Sequence, residues 1–83
     1  MRRITFTREA NRALERMPVN TARTILTKVR QLADDPESLA NNVKRLQGMP
    51  GFRLRVGDWR VIFTDDGIIL AILEVGPRGS IYR

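Results

Sequence analysis

The stretch Phe52-Arg53-Leu54-Arg55-Val56-Gly57-Asp58-Trp59-Arg60-Val61-Ile62-Phe63 decides the fold. Apolar and charged residues alternate on both sides of Gly57-Asp58, a pair that marks a two-residue hairpin loop. That loop places Val56 opposite Trp59, Arg55 opposite Arg60, Leu54 opposite Val61, Arg53 opposite Ile62 and Phe52 opposite Phe63. Because side chains alternate across a strand, Phe52, Leu54, Val56, Trp59, Val61 and Phe63 share an apolar face that needs a cover. Arg53, Arg55 and Arg60 share the other. Like charges directly opposed across a strand pair destabilise it by a few tenths to about 1 kcal/mol, and a multivalent anion would turn that penalty into binding energy.

Upstream, the period changes from 2 to 3.6. Arg3 to Phe6 alternates and reads as a short strand ending at a helix cap on Thr7. Ala10, Leu14 and Met17 fall at helical spacing before Pro18 stops a first helix. A second helix, capped at Asn20 or Thr21, carries the stripe Ala22, Ile25, Leu26, Val29, Leu32 and Ala33 and ends at Asp34-Asp35-Pro36. The two form an antiparallel hairpin with Arg12, Arg16, Arg23, Lys28 and Arg30 mostly outward. Glu37 to Gly51 reads as a linker tethered by Leu39, Val43 and Leu46, with one helical turn and a partly extended run.

Downstream, Asp66-Gly67 signals a second turn, and Ile68 to Val75 is apolar on both faces apart from Glu74, as expected of an interior strand. A tight turn there puts Ile72 against Val61 and Leu70 against Phe63; a turn longer by one residue shifts that register. The expected fold is α+β: an N-terminal strand, a helical hairpin, then a predominantly antiparallel sheet covered on one face by the helices. With 83 residues there is room for one core, so residues 1–83 read as a single domain.

Composition narrows the chemistry. Fifteen Lys and Arg against nine Asp and Glu give a net charge of +6, and thirteen of the fifteen cations are Arg. Arg offers a planar fork of donors that matches phosphate and carboxylate oxygens, so RNA or an acidic protein fits this balance better than a neutral metabolite. The absence of His and Cys excludes thiolate sites, His proton shuttles and Ser-His or Cys-His catalysis. Asp34-Asp35 and Asp65-Asp66-Gly67 read as turns rather than ligand pairs, so neither a metal nor another cofactor is expected. No window approaches the ~20 apolar residues of a membrane span, and a cytoplasmic protein is the expectation.

The run from Val43 to Phe63, followed by Val75-Gly76-Pro77-Arg78 and Ile81-Tyr82-Arg83, resembles the RelE/ParE toxin superfamily and is most similar to its RelE branch. The likeness spans essentially the whole chain. It implies the toxin of a type II toxin–antitoxin pair, a ribosome-dependent mRNA endonuclease that enters the ribosomal A site and halts translation. It also implies a cognate acidic antitoxin and a toxin–antitoxin hetero-oligomer. Carried over residue by residue, Arg60, Arg78 and Tyr82 match catalytic positions, and Lys44, Arg45, Arg53, Arg55 and Arg83 match basic positions that hold RNA. Pro77 stands where many relatives have His, and Tyr82 is closer to the arginine than in some active relatives. The same resemblance leaves two alternatives, a ParE-like inhibitor of DNA gyrase without nuclease activity and a catalytically impaired toxin that still binds antitoxin.

Overall fold

The computed structural model describes residues 1–79. The chain runs β1 (Arg3–Phe6), α1 (Arg8–Arg16), α2 (Val19–Asp34), a 3-10 segment (Pro36–Asn42), β2 (Val43–Arg45), β3 (Phe52–Val56), β4 (Trp59–Asp65) and β5 (Ile69–Pro77). The strands form one sheet in the order β1-β5-β4-β3-β2, in which only β1 and β5 run parallel. The expected α+β architecture is therefore the observed one. Among the described residues, no helix is long and apolar enough to cross a membrane.

The central hairpin has the expected register, from Phe52 opposite Phe63 to Val56 opposite Trp59. Gly57 takes a φ of 59° while Asp58 keeps a negative φ, the sign pattern of a turn with glycine in its first central position. The inner face of the sheet meets the helices. Leu54, Val56, Val61, Phe63, Leu70, Ile72 and Val75 pack with Ala10, Ile25, Val29, Leu32 and Ala33 in one cluster, and Ile4, Phe6, Phe52 and Trp59 lie partly buried against it. Phe52 and Phe63 stack with ring centroids 5.4 Å apart.

The register of β5 departs from the expected one. Phe63 faces Ile72, Asp65 faces Leu70 and Val61 faces Val75, with a bulge between Ile62 and Phe63. The cause is a wider turn. Asp66 Oδ1 accepts from the Ile68 and Ile69 amides at 2.8 and 2.7 Å, and Asp65 Oδ1 accepts from the Gly67 amide at 2.9 Å, so Ile68 belongs to the loop rather than the strand. Leu73 is the extra residue, left without a partner on β4. Without the bulge the alternation would turn Glu74 toward the core; with it Val75 is buried and Glu74 exposed. Thr7 secures this irregularity: its hydroxyl donates to the Leu73 carbonyl at 2.6 Å, accepts from the Ala10 amide at 3.1 Å as the α1 cap, and its backbone amide donates to Ile72 at 3.0 Å. β5 is interior, as expected, because β1 and β4 flank it; its outer positions Ala71 and Leu73 are only half-buried.

Two boundaries also differ. α2 starts at Val19, ahead of Asn20 and Thr21, with Pro18 at the cap position and no side-chain cap; the Pro18 carbonyl accepts from the Ala22 amide at 3.0 Å. The proline's φ of −55° already suits helix entry. The stretch from 37 to 51 contains the expected helical turn, as a 3-10 segment kinked at Leu39, and the expected extended run, which pairs with β3 as the edge strand β2 rather than serving as a linker. Gly51, at φ 115°, lies so close to the Phe63 carbonyl that an added Cβ would stand 3.0 Å from that oxygen. It is the point where the β2–β3 connection crosses onto β4.

Leu54→Ala is expected to lower unfolding free energy by about 3 kcal/mol, since a fully buried side chain leaves a cavity. Trp59 is only half-buried, so Trp59→Ala is expected to cost about 1–2 kcal/mol, less than its ring size suggests. Urea unfolding of both variants checks the order. The two amide bonds to Asp66 hold its carboxyl below the usual range, first through Ile69 and then Ile68. A depressed carboxylate contributes stability above its unfolded pKa of about 3.9, lost as pH falls through the folded value. The melting temperature should therefore be flat above about pH 5 and fall in acid, with a shallower acid fall in Asp66→Asn.

Candidate polyanion-binding face

The outer face of the sheet is organised in two rows. Lys44, Arg53, Ile62 and Glu74 stand side by side across β2, β3, β4 and β5, and in the next row Arg55, Arg60 and Gly76 adjoin across β3, β4 and β5. Arg55 and Arg60 are direct cross-strand partners, as the hairpin loop requires. Lys44, Arg53, Arg55 and Arg60 line a recess of about 220 Å³ together with Asn41 and Asn42 from the end of the 3-10 segment. Gly76, buried on β5, adds no side chain opposite Arg60.

Arg78 reaches the same region by backbone bonding. Its amide donates to the Asp58 carbonyl at 2.8 Å, which fastens the segment after β5 to the β3–β4 turn. The Arg60 guanidinium is half-buried and donates from Nη1 to the Trp59 carbonyl at 3.2 Å. Its pKa is held below the ordinary value, first by desolvation and then by the charges of Arg53, Arg78 and Arg55, while Asp58 acts in the opposite sense. Three cations thus act on Arg60 together, yet a guanidinium stays protonated at neutral pH.

Among the described residues, Asp58 is the carboxylate whose charge acts on Arg60. Asp65 lies at the far end of β4, where it pairs with Arg2 at 2.6 Å. Arg45 does not join the cluster. It faces Phe52 across the β2–β3 pair and lies over that ring, 5.7 Å from the centroid. Tyr82 and Arg83 lie outside the described residues. Asn41 and Asn42 were not singled out from the sequence, because an Asn-Asn pair in a presumed linker carries no signal until β2 is known to pair with β3. Among the described residues, no three His, Cys, Asp or Glu side chains gather as a metal site.

This geometry defines a class: a small α+β protein with a helical cover on one sheet face and a cluster of guanidinium groups on the other. Comparison with known proteins makes it specific. Residues 4–82 match the family described as "ParE toxin of type II toxin-antitoxin system, parDE", and the chain belongs to that family, within the RelE/ParE superfamily. It is a toxin of the type II toxin–antitoxin class. Among solved structures, it is similar to a chain of the archaeal RelE–RelB complex from Pyrococcus horikoshii OT3, at 27% identity and a TM-score of 0.77, covering 95% of this chain and 97% of that one. A chain of the RelBE2 toxin–antitoxin complex from Mycobacterium tuberculosis aligns at 26% identity and a TM-score of 0.63, covering 93% and 98%. A chain of the E. coli RelBE complex, at 16% identity, a TM-score of 0.75 and coverage of 93% and 96%, shares the fold. No curated protein matches the sequence.

If the Arg pairs repel across the sheet, a polyanion should stabilise the protein by mass action. Arg60→Ala is expected to leave the melting temperature unchanged or raise it slightly, and to reduce the increase that a short oligophosphate produces in the parent. Differential scanning fluorimetry with and without the oligophosphate measures both.

Proposed function

We propose that this chain is a ribosome-dependent mRNA endonuclease that halts translation by cutting the messenger in the A site. The observation that carries this reading is the convergence of Arg53, Arg55 and Arg60 with Lys44 in one recess, with Arg78 tied to the adjoining turn. Single-stranded RNA offers such a cluster successive phosphates, and its 2′-hydroxyl lies beside the phosphorus it can attack. In the proposed step the 2′-oxygen bonds to phosphorus and the bond from phosphorus to the 5′-oxygen breaks. The 2′-hydroxyl gives up one proton and the leaving 5′-oxygen takes one. Arg60 and Arg78 stabilise the extra charge on the phosphorane oxygens, while Arg53, Arg55 and Lys44 hold flanking phosphates. Because guanidinium groups remain protonated, the proton transfers fall to Tyr82 and to groups of the ribosome.

The partner proposed with this activity is an acidic antitoxin. Solved relatives include RelE–RelB complexes. Here a groove of about 600 Å³ between the helices is lined by Leu14, Met17, Ala22 and Leu26 and rimmed by Arg23, Arg30 and one carboxylate, Glu15, chemistry suited to an amphipathic segment whose acidic groups meet the two arginines. A second reading, gyrase inhibition, is favoured by one observation, the ParE description of the matching family.

Programmed ribosomes carrying a defined A-site codon separate the two. The expected result is a cut messenger with a 2′,3′-cyclic or 3′-phosphate end, and a drop of about 10²-fold in single-turnover rate for Arg60→Ala, comparable to losing one oxyanion donor. Intact messenger together with inhibited supercoiling by purified gyrase would replace the nuclease reading with the other. Equal cleavage by parent and a folded Arg60→Ala variant would remove Arg60 from the reaction.

A further inference from the structure

The cationic recess has one wall that is not cationic. Asn41 and Asn42 end the 3-10 segment and line the recess beside Lys44, Arg53, Arg55 and Arg60. Extending the β2–β3 register by one residue places Asn42 across from Arg55 and on the same outward face as Lys44. It therefore continues the row formed by Arg55 and Arg60.

Asparagine at the end of a helical segment usually has a local explanation, and none applies here. It is favoured there because it tolerates the left-handed conformation, but no described non-glycine residue has a positive φ. It also serves by bonding its amide to nearby backbone in a turn. Neither amide makes such a bond; the segment is closed instead by the Val43 amide donating to the Ala40 carbonyl. Among the described residues neither carboxamide has a protein partner, and Asn42, half-buried, and Asn41, exposed, stand at the rim of the cluster of charge.

We propose that Asn41 and Asn42 read a nucleobase of the RNA whose phosphates the arginines hold. This inference rests on the RNA reading above and adds a specificity element to it. Guanidinium groups meet phosphate without regard to sequence, whereas a carboxamide presents a donor beside an acceptor. That pair matches the edge of an unstacked base, where a donor lies beside an acceptor, and single-stranded RNA exposes such edges. The occupant is therefore a single-stranded segment with an unstacked base beside the bound phosphate.

The test titrates the full chain with short single-stranded oligoribonucleotides that differ at one central base, read by fluorescence anisotropy at several salt concentrations. The parent is expected to bind one of the four oligonucleotides about tenfold more tightly than the weakest, within the range of one bidentate base contact. Asn41→Ala/Asn42→Ala should bring the four affinities within about twofold while keeping the parent's melting temperature and the same salt slope, which counts phosphate contacts. Arg55→Ala should do the reverse, reducing the slope and leaving the base preference. Equal affinity of the parent for all four, or a preference that survives in the double variant, would overturn the inference while leaving RNA binding intact. A parent that binds none of the oligonucleotides at low salt would overturn the base-reading role, while cleavage on programmed ribosomes judges the nuclease reading separately.

Discussion

The pairing of Arg55 with Arg60 across the β3–β4 hairpin is the constraint on which the rest of the molecule turns. A two-residue loop leaves no latitude in register, and the period of two then commits every other residue to one face. The helices cover one face, with Leu54 and Val61 fully buried, while the guanidinium groups share the other. A one-residue slip would exchange the faces, burying unpaired arginines and exposing the core. The hydrophobic effect thus enforces the like-charge contact. Burial of several large apolar side chains at roughly 1.5–3 kcal/mol each far outweighs a cross-strand repulsion of about 1 kcal/mol or less.

What closes the sheet also shapes the cationic face. The bulge at Leu73 sets Gly76 opposite Arg60 and keeps Glu74 outward. Thr7, whose hydroxyl takes the bulged carbonyl, links the N-terminal strand and α1 to that geometry. The Arg78 amide bond to Asp58 then returns the chain to the central turn. Residues distant in sequence meet there because the bulge sets the register of β5 and the glycine turn sets that of β3 against β4.

Charge is unevenly distributed along this body. Arg53, Arg55 and Arg78 gather around Arg60 at the β3–β4 end, where desolvation first and then their charges lower its pKa. At the other end of β4, the Arg2 amide donates to the Ala33 carbonyl near the end of α2, and its guanidinium pairs with Asp65 beside the turn held by Asp66. A polyanion is attracted to the end where the guanidinium groups gather, which steers encounter before contact.

The sequence alone determined the hairpin register, the helical cover, the two-faced sheet and the joint position of Arg53, Arg55 and Arg60. Each follows from periodicity and one glycine turn, which are local signals with strong energetic consequences. Family membership was legible for the same reason, since its motif lies on that hairpin. The tertiary structure decided what depends on pairing between distant segments: the β5 register, the pairing of Val43–Arg45 with β3, and the entry of Asn41 and Asn42 into the recess. It also divided Lys44 from Arg45, placing one with the arginines and the other over Phe52. Local patterning could not set these, because a turn widened by Asp65 and Asp66 shifts a strand's register without altering its alternation. An edge strand of three residues carries too little pattern to reveal its partner.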